Sequence, residues 1–171
     1  LSTVMVGQMW LTILNGKVGA LNQIFEFFGS AYRQDWLGNH NVAIFVVAMV
    51  NAWQFMGYHF LLFLTAIHAI PSQITDGAKI DGAGFFQRLI RIQLPLLQET
   101  FKISLIIALT GGLKAFAEIY VITGGGPGTA TYTLPMMMLR SMTKFTDYGY
   151  GVTIATVLLA QCVLATIIVT S

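Results

Sequence analysis

The chain has 171 residues, 56% of them hydrophobic and only 9% charged. Roughly a quarter of an ordinary soluble domain is charged, so nine Lys or Arg and seven Asp or Glu cannot supply a water-facing shell. Disorder is excluded by the same figures, and a net charge of +2 on scattered basic residues is too small to suggest nucleic-acid binding. The single cysteine, Cys162, allows no internal disulfide. What remains is an all-α, polytopic membrane protein.

Residues 1–14 read as the end of a membrane helix. The chain starts at Leu1 inside an apolar run, without the positive flank or cleavage site of a signal peptide. It is therefore expected to be a piece of a longer membrane protein. Residues 15–40 form a polar connection punctuated by Gly16, Gly19, Gly29 and Gly38, with a short interfacial helix expected around residues 21–28.

No Asp, Glu, Lys or Arg occurs between Trp36 and Thr75. A span needs about 20 apolar residues, so residues 41–69 are expected to cross the membrane until Pro71 stops them. Residues 70–98 form the second connection, and 99–123 the next span. Residues 124–147, opening on three glycines and Pro127, form the third connection, and 148–171 the last span. Lys79, Arg88, Arg91 and Lys102 cluster at the middle connection, against two basic residues in each of the others. That bias favours a cytoplasmic middle loop and extracytoplasmic first and third connections.

Within the span 41–69, Asn51, Gln54, Tyr58 and Thr65 recur at helical spacing on one narrow stripe. Polar groups in a membrane face protein or water. The stripe is thus either a set of helix–helix hydrogen bonds or the lining of a substrate path through Asn51, Gln54 and Tyr58, which offer amides and an aromatic face to a hydroxyl-rich solute. Lys114 and Glu118 are expected to be an i, i+4 pair on one helix, close to the outer surface because the Gly124 turn follows at once. Glu118 is kept as a further path candidate. His40, His59 and His68 form no ligand set for a metal, and the glycines at 124–128 lack the Lys-Ser/Thr of a phosphate loop. The Met136-Met137-Met138 run reads as packing or lipid contacts.

The middle connection is the most informative segment. Pro71 suits a first helical turn, Gly82 and Gly84 break the run, and Phe85, Phe86, Leu89 and Ile92 then share an apolar face. A helical hairpin with exposed aromatics between two spans is a docking surface for a soluble partner. Its spacing is Asp76-Gly77-Ala78, three residues, Gly82, nine residues, then Ile92-Gln93-Leu94-Pro95. It resembles the EAA loop of the permease subunits of binding-protein-dependent ABC importers, with Asp76 in place of the usual Glu and Gly77 in place of the first Ala. Trp10 with residues 19–22, the run from Phe116 to Pro127 continuing to Leu134-Pro135, and residues 147–151 look like the carbohydrate-importing branch related to the maltose and glycerol-phosphate permeases.

The resemblance implies a permease core of six or more helices, with at least two absent on the N-terminal side. It implies a second permease subunit (a heterodimer), two ATPase subunits that hold the ATP and magnesium, and an extracytoplasmic solute-binding protein. No cofactor and no catalytic residue are expected in this chain, which would lie in a bacterial or archaeal plasma membrane. Asp76, Gly77, Ala78, Asp81, Gly82, Phe85 and Phe86 are the expected contacts with the ATPase. Asp76 is placed near a helix start, where a carboxylate suits the macrodipole, and Gly82 at the turn. Import of glycerol phosphate or a polyamine, or a membrane enzyme or scaffold, are the competing readings.

Overall fold

The computed structural model describes residues 2–29 and 33–170. Leu1 and Ser171, the outer bounds of the first and last expected spans, lie outside the described residues. The elements are α1 (Thr3–Ile13), α2 (Ala20–Phe27), α3 (Ala43–His68), α4 (Ser72–Ile80), α5 (Phe85–Arg88), a π-helical turn (Leu89–Gln93), α6 (Leu94–Leu96), α7 (Gln98–Leu113), α8 (Ala117–Ile122), α9 (Leu134–Lys144) and α10 (Tyr148–Thr170). No strand occurs among the described residues.

Helix α3 has 26 residues and α10 has 23. At 1.5 Å per residue these are about 39 and 35 Å long, enough for a hydrocarbon core of about 30 Å. Only 17% of the apolar window of α3 and 6% of that of α10 are buried within the chain. Phe45, Met56, Leu159 and Ile168 stand out from them, well exposed. Keeping such surface in water would cost about 25 cal/mol per Å²; lipid or neighbouring helices remove that cost.

The stretch expected to be an uninterrupted span over residues 99–123 is broken in the structure. The rod Phe85–Leu96 and helix α7 together qualify as a span, but they are bent by 62°. Pro95 explains the distortion on its N-terminal side. It has no N–H to give to the preceding turn, and the backbone widens into a π turn immediately before it. At the other end the helix stops at Leu113, and α8 begins only at Ala117. Gly111 and Gly112, poor helix formers, weaken the last turn. The Ala115 carbonyl freed at the break accepts the Thr133 hydroxyl at 2.9 Å.

The buried core lies where α1, α8 and the first half of α3 meet. Val6, Leu14, Val46, Val47, Val50, Ile119 and Ile122 form it, with Trp10, Leu21 and Trp36 packed around. Gly7 makes the approach of α1 to α8 possible, since a Cβ there would lie 2.7 Å from Val121 Cγ1. The first connection folds around Asn22, 3% exposed. Its Nδ2 donates to the Gly16 and Gln34 carbonyls, each at 3.0 Å, while its Oδ1 accepts the Trp36 indole N–H at 2.9 Å. Buried polar groups must be paired, and this one amide pairs three chain segments.

After α8 the chain turns through Gly124 and Gly125, at φ of 59° and 92°, and Gly128, at 60°. Thr131 is fully buried there; its hydroxyl donates to the Gly126 carbonyl at 2.9 Å and meets the Thr123 hydroxyl at 2.7 Å. Helix α9 then packs against α10, which also lies along α7. Asp147 caps α10, its Oδ1 accepting the Tyr150 N–H at 2.9 Å.

Candidate functional site

Two regions gather the residues singled out in the sequence. The first is the hairpin after α3. Pro71 precedes α4, and the Thr75 hydroxyl closes its first turn on the Ser72 carbonyl at 2.9 Å. Helix α4 ends in a glycine-centred reversal. The Gly82 N–H donates to the Lys79 carbonyl at 3.0 Å and the Ala83 N–H to the Ala78 carbonyl at 2.9 Å, with Gly82 at φ 80°. That pair of bonds is the Schellman closure, which requires a left-handed residue just past the helix end. Glycine takes that conformation without a Cβ clash, so the glycine expected at the turn has a specific backbone reason.

Asp76 is not at the helix start. It lies in the second turn of α4, and its Oδ1 accepts from Lys79 Nζ at 2.7 Å, with both side chains more than half exposed. The helix begins four residues earlier than the macrodipole argument assumed, at Ser72, so the carboxylate is beyond the orphan N–H groups. An exposed pair of this kind contributes at most about 1 kcal/mol, which leaves Asp76 free to exchange partners. Gly77 has open space around it, Ala78 is buried, and Asp81 is the exposed residue closing α4. Phe85 and Phe86 project from the next turn, 65% and 73% exposed, edge to face at 5.5 Å. With Ile80, also exposed, they make the hairpin tip apolar.

The second region is a cavity of about 580 Å³ between α3, α7 and the start of α8. Asn51, Ala52, Phe55 and His59 line it from α3, Gly111 and Gly112 from α7, Lys114 and Phe116 from the break, and Glu118 from the first turn of α8. Glu118 is 7% exposed, and its Oε1 accepts the Asn51 Nδ2–H at 3.1 Å. The expected pairing of Lys114 with Glu118 does not form. The helix break separates them, and no ion pair joins them among the described residues. His59 Nδ1 shares a hydrogen bond with Ser104 Oγ at 2.8 Å, tying α3 to α7 beside the cavity.

The four path candidates are thus only partly united. Asn51 and Glu118 meet. Gln54 turns the other way, its Nε2 donating to Thr3 Oγ1 at 2.9 Å on α1, while its Oε1 is buried without a partner among the described residues. Tyr58 stands outside this cavity, 53% exposed, with its ring edge-on to His59 at 5.7 Å. The stripe was drawn through 51, 54 and 58; the face that lines the cavity runs through 51, 55 and 59. Phe55 and His59 thus join Asn51 on the cavity face of α3, at an i, i+4, i+8 spacing that the sequence displays.

The chain is thus an all-α set of long apolar helices that carries a helical hairpin with a glycine reversal, the architecture of a polytopic membrane protein. Residues 2–171 match the family described as the binding-protein-dependent transport system inner membrane component, and the chain belongs to that family. It is 33% identical over 160 residues to the probable ABC transporter permease protein YurN of Bacillus subtilis, covering 93% of this chain and 55% of that one. It is 34% identical to the xylose/arabinose import permease protein XacH of Haloferax volcanii, covering 93% and 50%. To the trehalose/maltose transport system permease protein MalF of Thermococcus litoralis it is 34% identical, covering 87% and 50%. The chain thus spans about half the length of these curated relatives. A chain of a bacterial alginate ABC transporter, crystallised with a pentasaccharide-bound periplasmic protein, shares the fold with a TM-score of 0.87 at 22% identity, over 99% of this chain and 59% of that one.

Proposed function

We propose that this chain is part of the pore-forming permease of an ATP-driven sugar importer. Relatives named for xylose, arabinose, trehalose and maltose import support the substrate class. The observation that carries the reading is the hairpin itself. Its Asp76-to-Pro95 spacing and Gly82 reversal stand between two membrane crossings, and its tip exposes Ile80, Phe85 and Phe86. A short helix anchored at both ends by membrane helices transmits a push, whereas a slack loop does not. The hairpin lies on the cytoplasmic side, and the connections after α1 and α8 on the other.

In this reading the chain binds no cofactor and catalyses no reaction. ATP and magnesium are held by two ATPase subunits, which seat α4 and the Phe85-Phe86 tip in a groove. A second permease subunit completes the pore, and an extracytoplasmic solute-binding protein delivers the sugar. ATPase closure moves the hairpin and rocks the bundle between inward- and outward-open states. The cavity at Asn51 and Glu118 forms part of this half's sugar path; amide and carboxylate oxygens are suited to sugar hydroxyls, and Phe55 and Phe116 to a sugar's apolar face. The membrane is a bacterial or archaeal plasma membrane.

Co-expression of the full-length protein with its partner subunits tests this. The ATPase should co-purify with it, and proteoliposomes should take up sugar only with ATP inside the nucleotide compartment. Sugar uptake without ATP, or no uptake of any sugar by an assembled complex, would reject the proposal.

A further inference from the structure

A third region, apart from hairpin and cavity, lies between α9, Tyr120 of α8 and Tyr132 of the connection between them. Tyr120, Tyr132, Met136, Leu139, Arg140, Thr143 and Lys144 line a cleft of about 440 Å³. Its cations are not neutralised within the chain. Neither Arg140 nor Lys144 forms an ion pair among the described residues. The nearest carboxylate in sequence, Asp147, is occupied in capping α10. Arg140 is nevertheless held in place. Its Nη1 donates to the Tyr132 hydroxyl, and its guanidinium lies 5.3 Å from the Tyr132 ring centre and 5.9 Å from that of Phe145. Tyr132 is itself fixed, because it packs on Gly125 so closely that a Cβ there would lie 2.0 Å from its ring. One bond out of five N–H donors leaves most of the fork open for a ligand.

Depth decides what that ligand is. No Asp, Glu, Lys or Arg occurs in α10, whereas Lys144 and Asp147 stand just before it, so its first turn marks the edge of the apolar stretch. Tyr148 and Tyr150, both exposed, mark that level as an aromatic belt does. Ser141 and Met142 of α9 lie against Gly151, three residues into α10 and about 4.5 Å along its axis. Arg140 and Lys144 therefore sit at headgroup level, on the extracytoplasmic side in the proposed topology, where basic side chains are attracted to anionic lipid.

We propose that this cleft binds the phosphate of an anionic phospholipid, with Arg140 as the fixed fork, Lys144 as the second cation and Tyr120 at the rim. The bland account is that Arg140 only clamps Tyr132 and Lys144 only complements the carbonyl end of α9. The two differ in their response to lipid charge.

The assembled transporter is placed in nanodiscs of phosphatidylcholine, with or without phosphatidylglycerol, and its thermal midpoint is read. Phosphatidylglycerol should raise the midpoint of the wild type, and R140Q/K144Q should lose the greater part of that rise. If the double variant does not fold, Arg140→Lys and K144Q, which keep the aromatic packing, should each lose part of it. An equal rise in wild type and variants overturns the proposal. So does reproduction of the rise by inorganic phosphate in phosphatidylcholine discs, which would make the cleft a free-anion site. Loss of solute-binding-protein capture with the lipid response intact would also overturn it, in favour of an acidic protein surface.

Discussion

The Asn51 side-chain amide donates to the Glu118 carboxylate over 3.1 Å, joining α3 to α8 across 67 positions of sequence. Glu118 has no other hydrogen-bond partner among the described residues, and it is 7% exposed. Hydrogen bonds between membrane helices average about 0.6 kcal/mol. Removing the donor from a buried carboxylate costs more, about 1–3 kcal/mol. Asn51→Leu should therefore lower the melting temperature in detergent and reduce sugar uptake. Glu118→Gln, which keeps an acceptor oxygen and sheds the charge, should melt higher than Asn51→Leu. The reverse order would show that the carboxylate is held by something other than Asn51.

Asn22 supports a second expectation. Asn22→Ala removes bonds to Gly16, Gln34 and Trp36 together. Each group left unpaired and dry costs about 1–3 kcal/mol. Limited proteolysis should cut the connection between α1 and α3 faster than in the wild type, with α3 and α10 remaining protected. Unchanged cleavage would mean that the segment is held by other contacts.

Two glycines of the same turn make a controlled comparison. Gly125→Ala meets both a φ of 92° and the Tyr132 ring, whereas Gly128→Ala meets a φ of 60° and open space. Gly128→Ala should cost about 1–2 kcal/mol for the left-handed backbone alone. Gly125→Ala should cost distinctly more in thermal unfolding. Equal costs would remove the steric role of Tyr132.

The proposed sidedness is open to direct labelling. Ser72, at the start of α4, and Thr129, in the turn after α8, are both exposed. Single cysteines at these positions, in a Cys162→Ala background, should react with an impermeant maleimide from opposite faces of sealed vesicles. Labelling of both from one face would contradict the topology.

The long apolar helices were legible because a bilayer imposes length and charge rules that one sequence displays. Trp36 to Thr75 carries no Asp, Glu, Lys or Arg, and α3 fills most of that gap. The Gly82 reversal was legible because few residues tolerate its backbone. The break after Leu113 was not, since what satisfies it, Thr133, arrives from beyond the glycine turn. The stripe at 51, 54 and 58 is divided in the structure, Asn51 bonding Glu118 of α8 and Gln54 bonding Thr3 of α1. Helix α3 touches α1 on one side and α7 and α8 on the other, so a narrow stripe is split between two neighbours that one helix cannot reveal. The Asp76–Lys79 pair, by contrast, was available from its i, i+3 spacing on the expected helix.

The most direct test of the account is substrate-stimulated ATP hydrolysis by a reconstituted transporter carrying Gly82→Val. The substitution forces a β-branched residue to φ 80° in open space, so it misaims the hairpin without a clash elsewhere. The membrane spans should assemble, but sugar and binding protein should no longer accelerate ATP hydrolysis, and uptake should fall to background. Asp76→Glu should retain stimulation in the same assay. Full stimulation and full uptake with Gly82→Val in place would contradict the claim that this hairpin couples ATP hydrolysis to transport.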